Sequence, residues 1–250
     1  MGLWERLLCR LQQVSPGELA CRGFEWLSQL SAELRAFVAD SKPHNHTYTV
    51  AEDRLIPHRQ LAVRVARLSR HYLQPHDSLL DVSSSKGFFV FDAAQRLGCE
   101  RSLGIDIDPR CIDICRTLNG RFALADRAQF ELLTLPELAA RIDEFGGPFQ
   151  TALVINSYQY MYCGSNLAPS VYRDHREIFR DLRQVCWGRV VFHNRLKFRE
   201  VQPHAQARAI RDRKADSYHP AGIRAAAAEF FRITELPCWQ RRPIWLLEPR

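Results

Sequence analysis

Apolar residues follow two different spacings along this chain, one typical of helices and one typical of buried strands. Over the first 40 residues they recur every three or four positions, and Pro16-Gly17 divides this pattern into two predicted helices. From Arg59 onward, helical segments alternate with short apolar runs that predict strands. The predicted strands cover 78–82, 102–107, 130–133, 150–156, 189–193, 232–236 and 243–248. The predicted helices between them cover 59–73, 88–97, 109–118, 135–145, 172–185 and 220–231.

This alternation predicts an α/β fold with a doubly wound, mostly parallel sheet of seven strands. Only residues 237–242 separate the last two strands, so the sheet is predicted to end in an antiparallel C-terminal hairpin. The N-terminal helices are interpreted as a helical extension over residues 1–50, and residues 51–250 as the α/β domain. The polar segment 40–57 is interpreted as a connector between the two.

The composition indicates the cellular compartment and excludes some classes of protein. No apolar run approaches the roughly 18 residues that a membrane span needs, and no secretory signal is recognised, so we expect a cytoplasmic protein. Its eight cysteines include no Cys-x-x-Cys pair and are expected to be reduced. His44 and His46 have no accompanying Cys or carboxylate cluster, so no metal site is predicted.

The net charge of +7 lies entirely in the last quarter of the chain. From Arg189 onward there are 13 Lys and Arg against 6 Asp and Glu, whereas the first 188 residues carry 22 of each. This distribution predicts either an anionic partner, such as a phosphorylated small molecule, a lipid head group or nucleic acid, or simply a solvated basic surface. The first N-terminal helix carries Trp4, Arg6 and Arg10, which suit packing on the main domain, our preferred interpretation, or a peripheral membrane contact.

Polar residues follow the first two strands of the predicted sheet. The loop Ser83-Ser84-Ser85-Lys86-Gly87 comes after the first strand, and Asp106 closes the second. In a parallel sheet these positions meet at one edge, where such folds bind ligands. A carboxylate there can accept hydrogen bonds from both hydroxyls of a ribose, and the loop N–H groups favour a negatively charged or polar group. The loop has too little glycine for a dinucleotide fingerprint.

With these residues the chain resembles the class I S-adenosylmethionine-dependent methyltransferases, from about residue 51 to residue 250. Asp81-Val82-Ser83-Ser84-Ser85-Lys86-Gly87 is similar to the family's first motif, although serine occupies two positions, 83 and 85, where glycine is usual. Gly104-Ile105-Asp106-Ile107-Asp108-Pro109 is similar to the second motif. The resemblance implies S-adenosyl-L-methionine as cofactor. It implies that the cofactor is bound by residues of these motifs, namely Asp81, Ser83, Ser85, Gly87, Asp106 and Ile107.

The resemblance also assigns residues after the later strands. Thr134 and Leu135 are placed at the adenine, Asn156 near the transferred methyl group, and Arg59 opposite the cofactor carboxylate. Tyr158 and His193 are the candidate catalytic residues. Tyr158 and the tyrosines at 160 and 162 either line the acceptor mouth or pack beneath the loop that contains Gly164. His193 is either a general base or a structural residue at the end of a strand.

The predicted reaction is direct methyl transfer to an oxygen or nitrogen of a small-molecule or glycoconjugate acceptor. A second interpretation is RNA methylation, with Arg208, Arg211, Arg213 and Lys214 binding phosphates. A third is a non-catalytic binding protein that keeps the fold without the cofactor. The fold by itself does not decide among them.

Overall fold

The structure is a computed structural model and describes residues 48–51, 54–57, 59–240 and 242–250. Seven strands form one sheet in the order β5-β4-β3-β6-β7-β9-β8, and a separate hairpin pairs β1 with β2. The strands are β1 (Tyr48–Ala51), β2 (Arg54–Pro57), β3 (Ser78–Val82), β4 (Arg101–Asp106), β5 (Ala128–Leu132), β6 (Phe149–Ile155), β7 (Cys186–His193), β8 (Phe231–Trp239) and β9 (Arg242–Pro249). The helices are α1 (Arg59–Leu68), α2 (Phe88–Gln95), α3 (Pro109–Phe122), α4 (Leu135–Ala140), α5 (Tyr158–Cys163), α6 (His175–Val185), α7 (Pro203–Arg211) and α8 (Pro220–Phe230).

The predicted sheet is confirmed. Strands β3 to β7 pair in parallel, and β9 pairs antiparallel with both β7 and β8. The central strands β3 and β6 are buried at every position, as expected for parallel strands covered on both faces. Successive side chains enter opposite cores: Leu79 packs with α1, α2 and α3, whereas Leu80 packs with α4, α6 and α8.

The structure differs from the prediction in two respects. Residues 48–57, interpreted as connector, contain the β1–β2 hairpin. The helices α5 and α7 were not predicted, because half of the residues of the short α5 are tyrosines and the buried face of α7 consists of the small residues Ala205 and Ala209. The predicted helices within 1–47 lie outside the described residues.

Capping residues determine where α3 and α4 begin, just after strands β4 and β5. The Asp108 carboxylate accepts a hydrogen bond from the Arg110 backbone N–H at 3.0 Å, and Pro109 follows at the first helical position of α3. Thr134 caps α4 in a capping box with Glu137. Both caps directly follow strands and fix the carboxyl edge of the sheet.

Candidate functional site

The serine loop after β3 has an unusual backbone. Ser83 has a φ of 67°, Ser85 of 51° and Gly87 of 73°. The two serines that replace the expected glycines therefore adopt the left-handed conformation that glycine favours. In this conformation the Cβ atom of an L-residue lies too close to the following carbonyl oxygen, which costs about 1–2 kcal/mol. Glycine has no Cβ atom and avoids this cost. The loop keeps the shape of a glycine-rich turn despite its composition.

Hydrogen bonds tie this loop to the end of β4. The Ser84 N–H donates to the Ile105 carbonyl at 2.9 Å, and the Ser85 N–H donates to Asp106 Oδ2 at 2.8 Å. The Cys115 thiol donates to the Ser85 carbonyl at 3.4 Å from below. The two motifs singled out in the sequence thus form one connected unit.

Two glycines permit the close packing beneath the loop. A Cβ atom on Gly104 would lie 2.8 Å from Ser84 Oγ, and one on Gly87 would lie 2.5 Å from Phe130 Cε1. Neither neighbour is a flexible surface group, since Ser84 and Phe130 are both buried. At these two residues the sheet and the loop therefore pack too closely to leave room for a Cβ atom.

Asp106 is half-buried at the rim of the cleft. Its Oδ1 accepts the Asp108 N–H at 3.0 Å, and its Oδ2 accepts that of Ser85. Burial raises the pKa of Asp106, while hydrogen bonds from the backbone of Asp108, Ser85 and Ile107 oppose this rise. The two carboxylate oxygens have four lone pairs in all, so these three backbone hydrogen bonds leave the carboxylate one further acceptor site.

Asp81 lies at the end of β3, deeper than Asp106. Burial and the neighbouring Asp106 carboxylate raise the pKa of Asp81 to about 8, although the Arg64 guanidinium lowers it. Asp81 lines a small hollow together with Ser83, Lys86 and Phe88. This hollow is polar on the side of the loop and apolar behind it.

An open cleft of about 600 Å³ adjoins the loop. Ser83, Asp106 and Ile107 line one side of it, and Thr134 and Leu135 line the floor. The opposite wall comes from Tyr160, Met161 and the segment 165–172. Five of the residues predicted to bind the cofactor therefore line this cleft, whereas Asp81 lines the neighbouring hollow, and Ser85 and Gly87 line neither.

The segment 165–172 is held in place by polar contacts from other parts of the chain. The Lys214 ammonium donates to the carbonyls of Tyr162, at 3.1 Å, and Tyr172. The Ser170 hydroxyl donates to the Met161 carbonyl at 2.6 Å. The outer wall of the cleft is thus an ordered part of the fold.

The structure corrects the placement of Tyr158. Because residues 158–163 form a helix, Tyr158 and Tyr162 share one face and enter the core, whereas Tyr160 points into the cleft. Tyr158 is fully buried, with its hydroxyl 2.8 Å from Nδ1 of His175. It does not line the acceptor mouth.

His193 is likewise buried instead of facing the cleft. Its Nε2 donates to the Trp239 carbonyl at 3.2 Å, and its ring stacks on that of Trp239 at 5.2 Å. Burial and the nearby Arg64 and Arg242 lower the pKa of His193 to about 4. A fully buried, neutral imidazole held in this way is a structural residue, which corrects the prediction of a general base.

Asn156, predicted near the transferred methyl group, follows β6 with a φ of 62°. Its side-chain oxygen accepts hydrogen bonds from Nη1 of Arg195 at 2.8 Å and from Nη1 of Arg242 at 2.9 Å. Both arginines went unrecognised as site residues in the sequence. They are distant in the chain and converge only because the antiparallel β9 begins beside the end of β7.

Two remaining predictions fall partly or wholly outside the described residues. Arg59 begins α1, but its side chain lies outside them. His44 and His46 also lie outside. Within the described part of the chain, no three His, Cys, Asp or Glu side chains form a metal-binding group. In the same part, no helix is long and apolar enough to cross a membrane.

No family model and no curated protein matches this sequence. Its fold is similar to that of solved methyltransferases at low sequence identity, which confirms the predicted class I methyltransferase fold. The bifunctional kinase-methyltransferase WbdD is 18% identical with a TM-score of 0.56, over 76% of this chain and 40% of its own. Geranyl diphosphate C-methyltransferase from Streptomyces coelicolor A3(2), solved with Mg²⁺, geranyl diphosphate and S-adenosyl-L-homocysteine, is 14% identical with a TM-score of 0.52, over 78% and 81%.

A third solved structure with this fold is the PH0226 protein from Pyrococcus horikoshii OT3. It is 15% identical, with a TM-score of 0.55, and the match covers 88% of this chain and all of that one. By contrast, the chain spans about two fifths of the length of WbdD. At these identities the likeness concerns the fold alone.

Proposed function

We propose that this protein is an S-adenosylmethionine-dependent methyltransferase that acts on a small-molecule or glycoconjugate acceptor. The observation that carries the proposal is the unit formed by the serine loop and Asp106 at the mouth of the cleft. In it, two serines hold the left-handed backbone of a glycine-rich turn at a strain cost of about 1–2 kcal/mol each. Such strain is typical of functional sites.

The residues present fit the cofactor. Asp106 would accept a hydrogen bond from a ribose hydroxyl, while Ile107, Thr134 and Leu135 would enclose the adenine. The hollow beside Asp81 would take the amino-acid end. When bound, the cofactor supplies a methyl group on a positively charged sulfur, which an acceptor atom attacks directly.

The chain itself would contribute chiefly proximity and orientation. Tyr160 and the segment 165–172 line the wall of the cleft opposite the serine loop, and Asn156 directly follows strand β6. Burial raises the pKa of Tyr160, whereas Arg195 and Arg242 lower it. Tyr160 is therefore the phenol best placed to orient an acceptor, a role that the sequence pattern suggested for Tyr158.

The geometry favours a small acceptor over RNA. Of the four basic residues considered for phosphate binding, Lys214 is turned inward onto the carbonyls of Tyr162 and Tyr172. Arg211 forms an ion pair with Asp212 at 2.9 Å. Structures with a similar fold include a protein described as an O-methyltransferase family member from Burkholderia thailandensis and the geranyl diphosphate C-methyltransferase. Both descriptions are consistent with a small acceptor.

Calorimetric titration with S-adenosylmethionine and S-adenosylhomocysteine tests the proposal. We expect micromolar binding that Asp106→Ala weakens at least tenfold, because charge-assisted hydrogen bonds contribute about 1.5–3 kcal/mol each. Asp126→Ala, an exposed carboxylate between α3 and β5, is the matched control and should leave both affinities unchanged. A folded wild-type protein that binds neither compound would instead support the non-catalytic interpretation.

A further inference from the structure

Three arginines from distant parts of the chain converge beside the acceptor side of the cleft. Arg64 comes from α1, Arg195 follows β7, and Arg242 begins β9. We call these residues the arginine cluster. Asn156 lies at its centre, since its side-chain oxygen accepts one hydrogen bond from Arg195 and one from Arg242.

The topology places the arginine cluster at the ligand-binding edge of the sheet. Strands β3, β6 and β7 are adjacent and parallel, so the serine loop, Asn156 and Arg195 follow one another along the carboxyl edge. Because β9 runs antiparallel to β7, the start of β9 lies at this same edge. Asp106, at the end of β4, lies on the other side of the serine loop.

The charges of the cluster act on one wall of the cleft. Tyr160 lines the cleft, and burial raises the pKa of its phenol while the charges of Arg195 and Arg242 oppose this rise. Asn156, Tyr160, Arg195 and Arg242 are all half-buried, so each keeps some accessible surface. These residues are therefore accessible at the sheet edge that also carries the cleft.

Like charges are held together here at a cost. Burial, Arg195 and Arg242 lower the pKa of Arg64 to about 10, and burial and Arg195 lower that of Arg242 to about 10. Arg64 and Arg242 therefore remain charged at neutral pH. Among the residues that the structure describes, no carboxylate forms an ion pair with Arg195 or Arg242. The Glu200 carboxylate raises the pKa of Arg242 without forming an ion pair with it in the described part of the chain.

Donor capacity exceeds the contacts made. A guanidinium has five N–H donors in a planar fork that matches two oxygens of a carboxylate or phosphate. Within the described part of the chain, Arg195 and Arg242 each donate one side-chain hydrogen bond, and both of these bonds go to Asn156. Asn156 orients both forks with a neutral oxygen, which leaves their positive charge uncompensated.

We propose that Arg195 and Arg242 form an anion subsite that binds a phosphoryl or carboxylate group of the methyl acceptor. Asn156 is a positioning residue for both guanidinium groups, and Arg64 adds positive charge from behind. This inference rests on the proposed function and specifies its substrate class as an anionic acceptor.

The test is calorimetric titration of the full chain with inorganic pyrophosphate and with malonate, both with and without saturating S-adenosylhomocysteine. We expect at least one anion to bind, and Arg195→Gln and Arg242→Gln each to weaken it at least tenfold. Arg242→Lys, which keeps the charge but not the fork, should give an intermediate loss. Thermal unfolding of each variant verifies that it is folded, and the Lys variant serves if a Gln variant is not.

Arg232→Gln is the matched control. It removes the same charge from an exposed arginine that pairs with Glu248 at the opposite edge of the sheet, and should not change anion affinity. Wild-type protein that binds neither anion, or equal anion affinity in the wild type and both Gln variants, would overturn the subsite.

A different result would assign the arginines to the cofactor. If the Gln variants weaken S-adenosylhomocysteine binding but not binding of methylthioadenosine, which lacks the amino-acid carboxylate, the cluster holds that carboxylate and the proposal is wrong. Failure of the wild type to bind S-adenosylhomocysteine overturns the proposed function instead. The titrations without that compound still decide whether the anion subsite exists.

Discussion

Gly104→Ala should destabilise the protein and displace the serine loop, because Gly104 packs directly against Ser84. The added Cβ would lie 2.8 Å from Ser84 Oγ and 2.9 Å from both Ser84 Cβ and Phe130 Cδ1. Forcing an extra methyl group into such packing costs about 1–3 kcal/mol. Alanine regains about 0.5–1 kcal/mol over glycine within a strand. At the middle of these ranges, the expected net loss is about 1 kcal/mol in the free energy of unfolding.

Urea unfolding and a thermal melt measure this loss. For a chain of this length each kcal/mol lowers Tm by about 2–4 °C. Gly120→Ala is the matched control, because nothing lies within 4 Å of its added Cβ on helix α3. That variant should be more stable than the wild type by up to about 1 kcal/mol.

A second mutation, Ser84→Gly, should restore the stability that Gly104→Ala loses. Ser84 supplies two of the three close contacts, and its hydroxyl has no hydrogen-bond partner among the described residues. Because Ser84 belongs to the loop, Gly104→Ala alone should also weaken S-adenosylhomocysteine binding severalfold. A Gly104→Ala protein as stable as the wild type would refute the packing argument.

Three further perturbations have expected outcomes. Tyr158→Phe removes the hydroxyl that contacts His175 and should lower the free energy of unfolding by about 1–2 kcal/mol. Cofactor affinity should stay unchanged in that variant, and a fivefold loss would show that Tyr158 faces the site. Gly87→Ala combines a positive φ with a clash against Phe130, so urea unfolding should show a loss above about 2 kcal/mol. Because Asp81 has a folded pKa of about 8 and an ordinary one near 4, the folded protein retains a proton that the unfolded chain releases. Its contribution to stability therefore falls as pH rises from about 4 to about 8, and urea unfolding at several pH values should show that Asp81→Asn removes this slope.

The sheet was predictable from the sequence because its signals are local. Apolar runs, the Asp108-Pro109 helix start and the spacing of Asp81 and Asp106 each depend on nearby residues. The rule that ligands bind at the carboxyl ends of parallel strands then located the loop and Asp106 correctly at one edge.

The acceptor side could not be predicted in the same way. The tyrosines two apart suit an extended segment as well as a helix, and only the observed helix α5 sends Tyr160 toward the cleft and Tyr158 into the core. Arg195 and Arg242 lie 47 positions apart in the sequence, and their meeting at Asn156 depends on how β9 returns beside β7. No periodicity in the sequence encodes that contact.

The two left-handed serines bear on how this protein would respond to laboratory evolution. Glycine at 83 or 85 would remove a steric penalty of about 1–2 kcal/mol and lose about 0.5–1 kcal/mol through greater freedom of the unfolded chain. Selection for heat resistance should therefore enrich glycine at these positions. Selection for cofactor use should retain whichever serine hydroxyl contacts the ligand. A comparison of the two selections would therefore show which serine is needed for binding and which can be replaced by glycine.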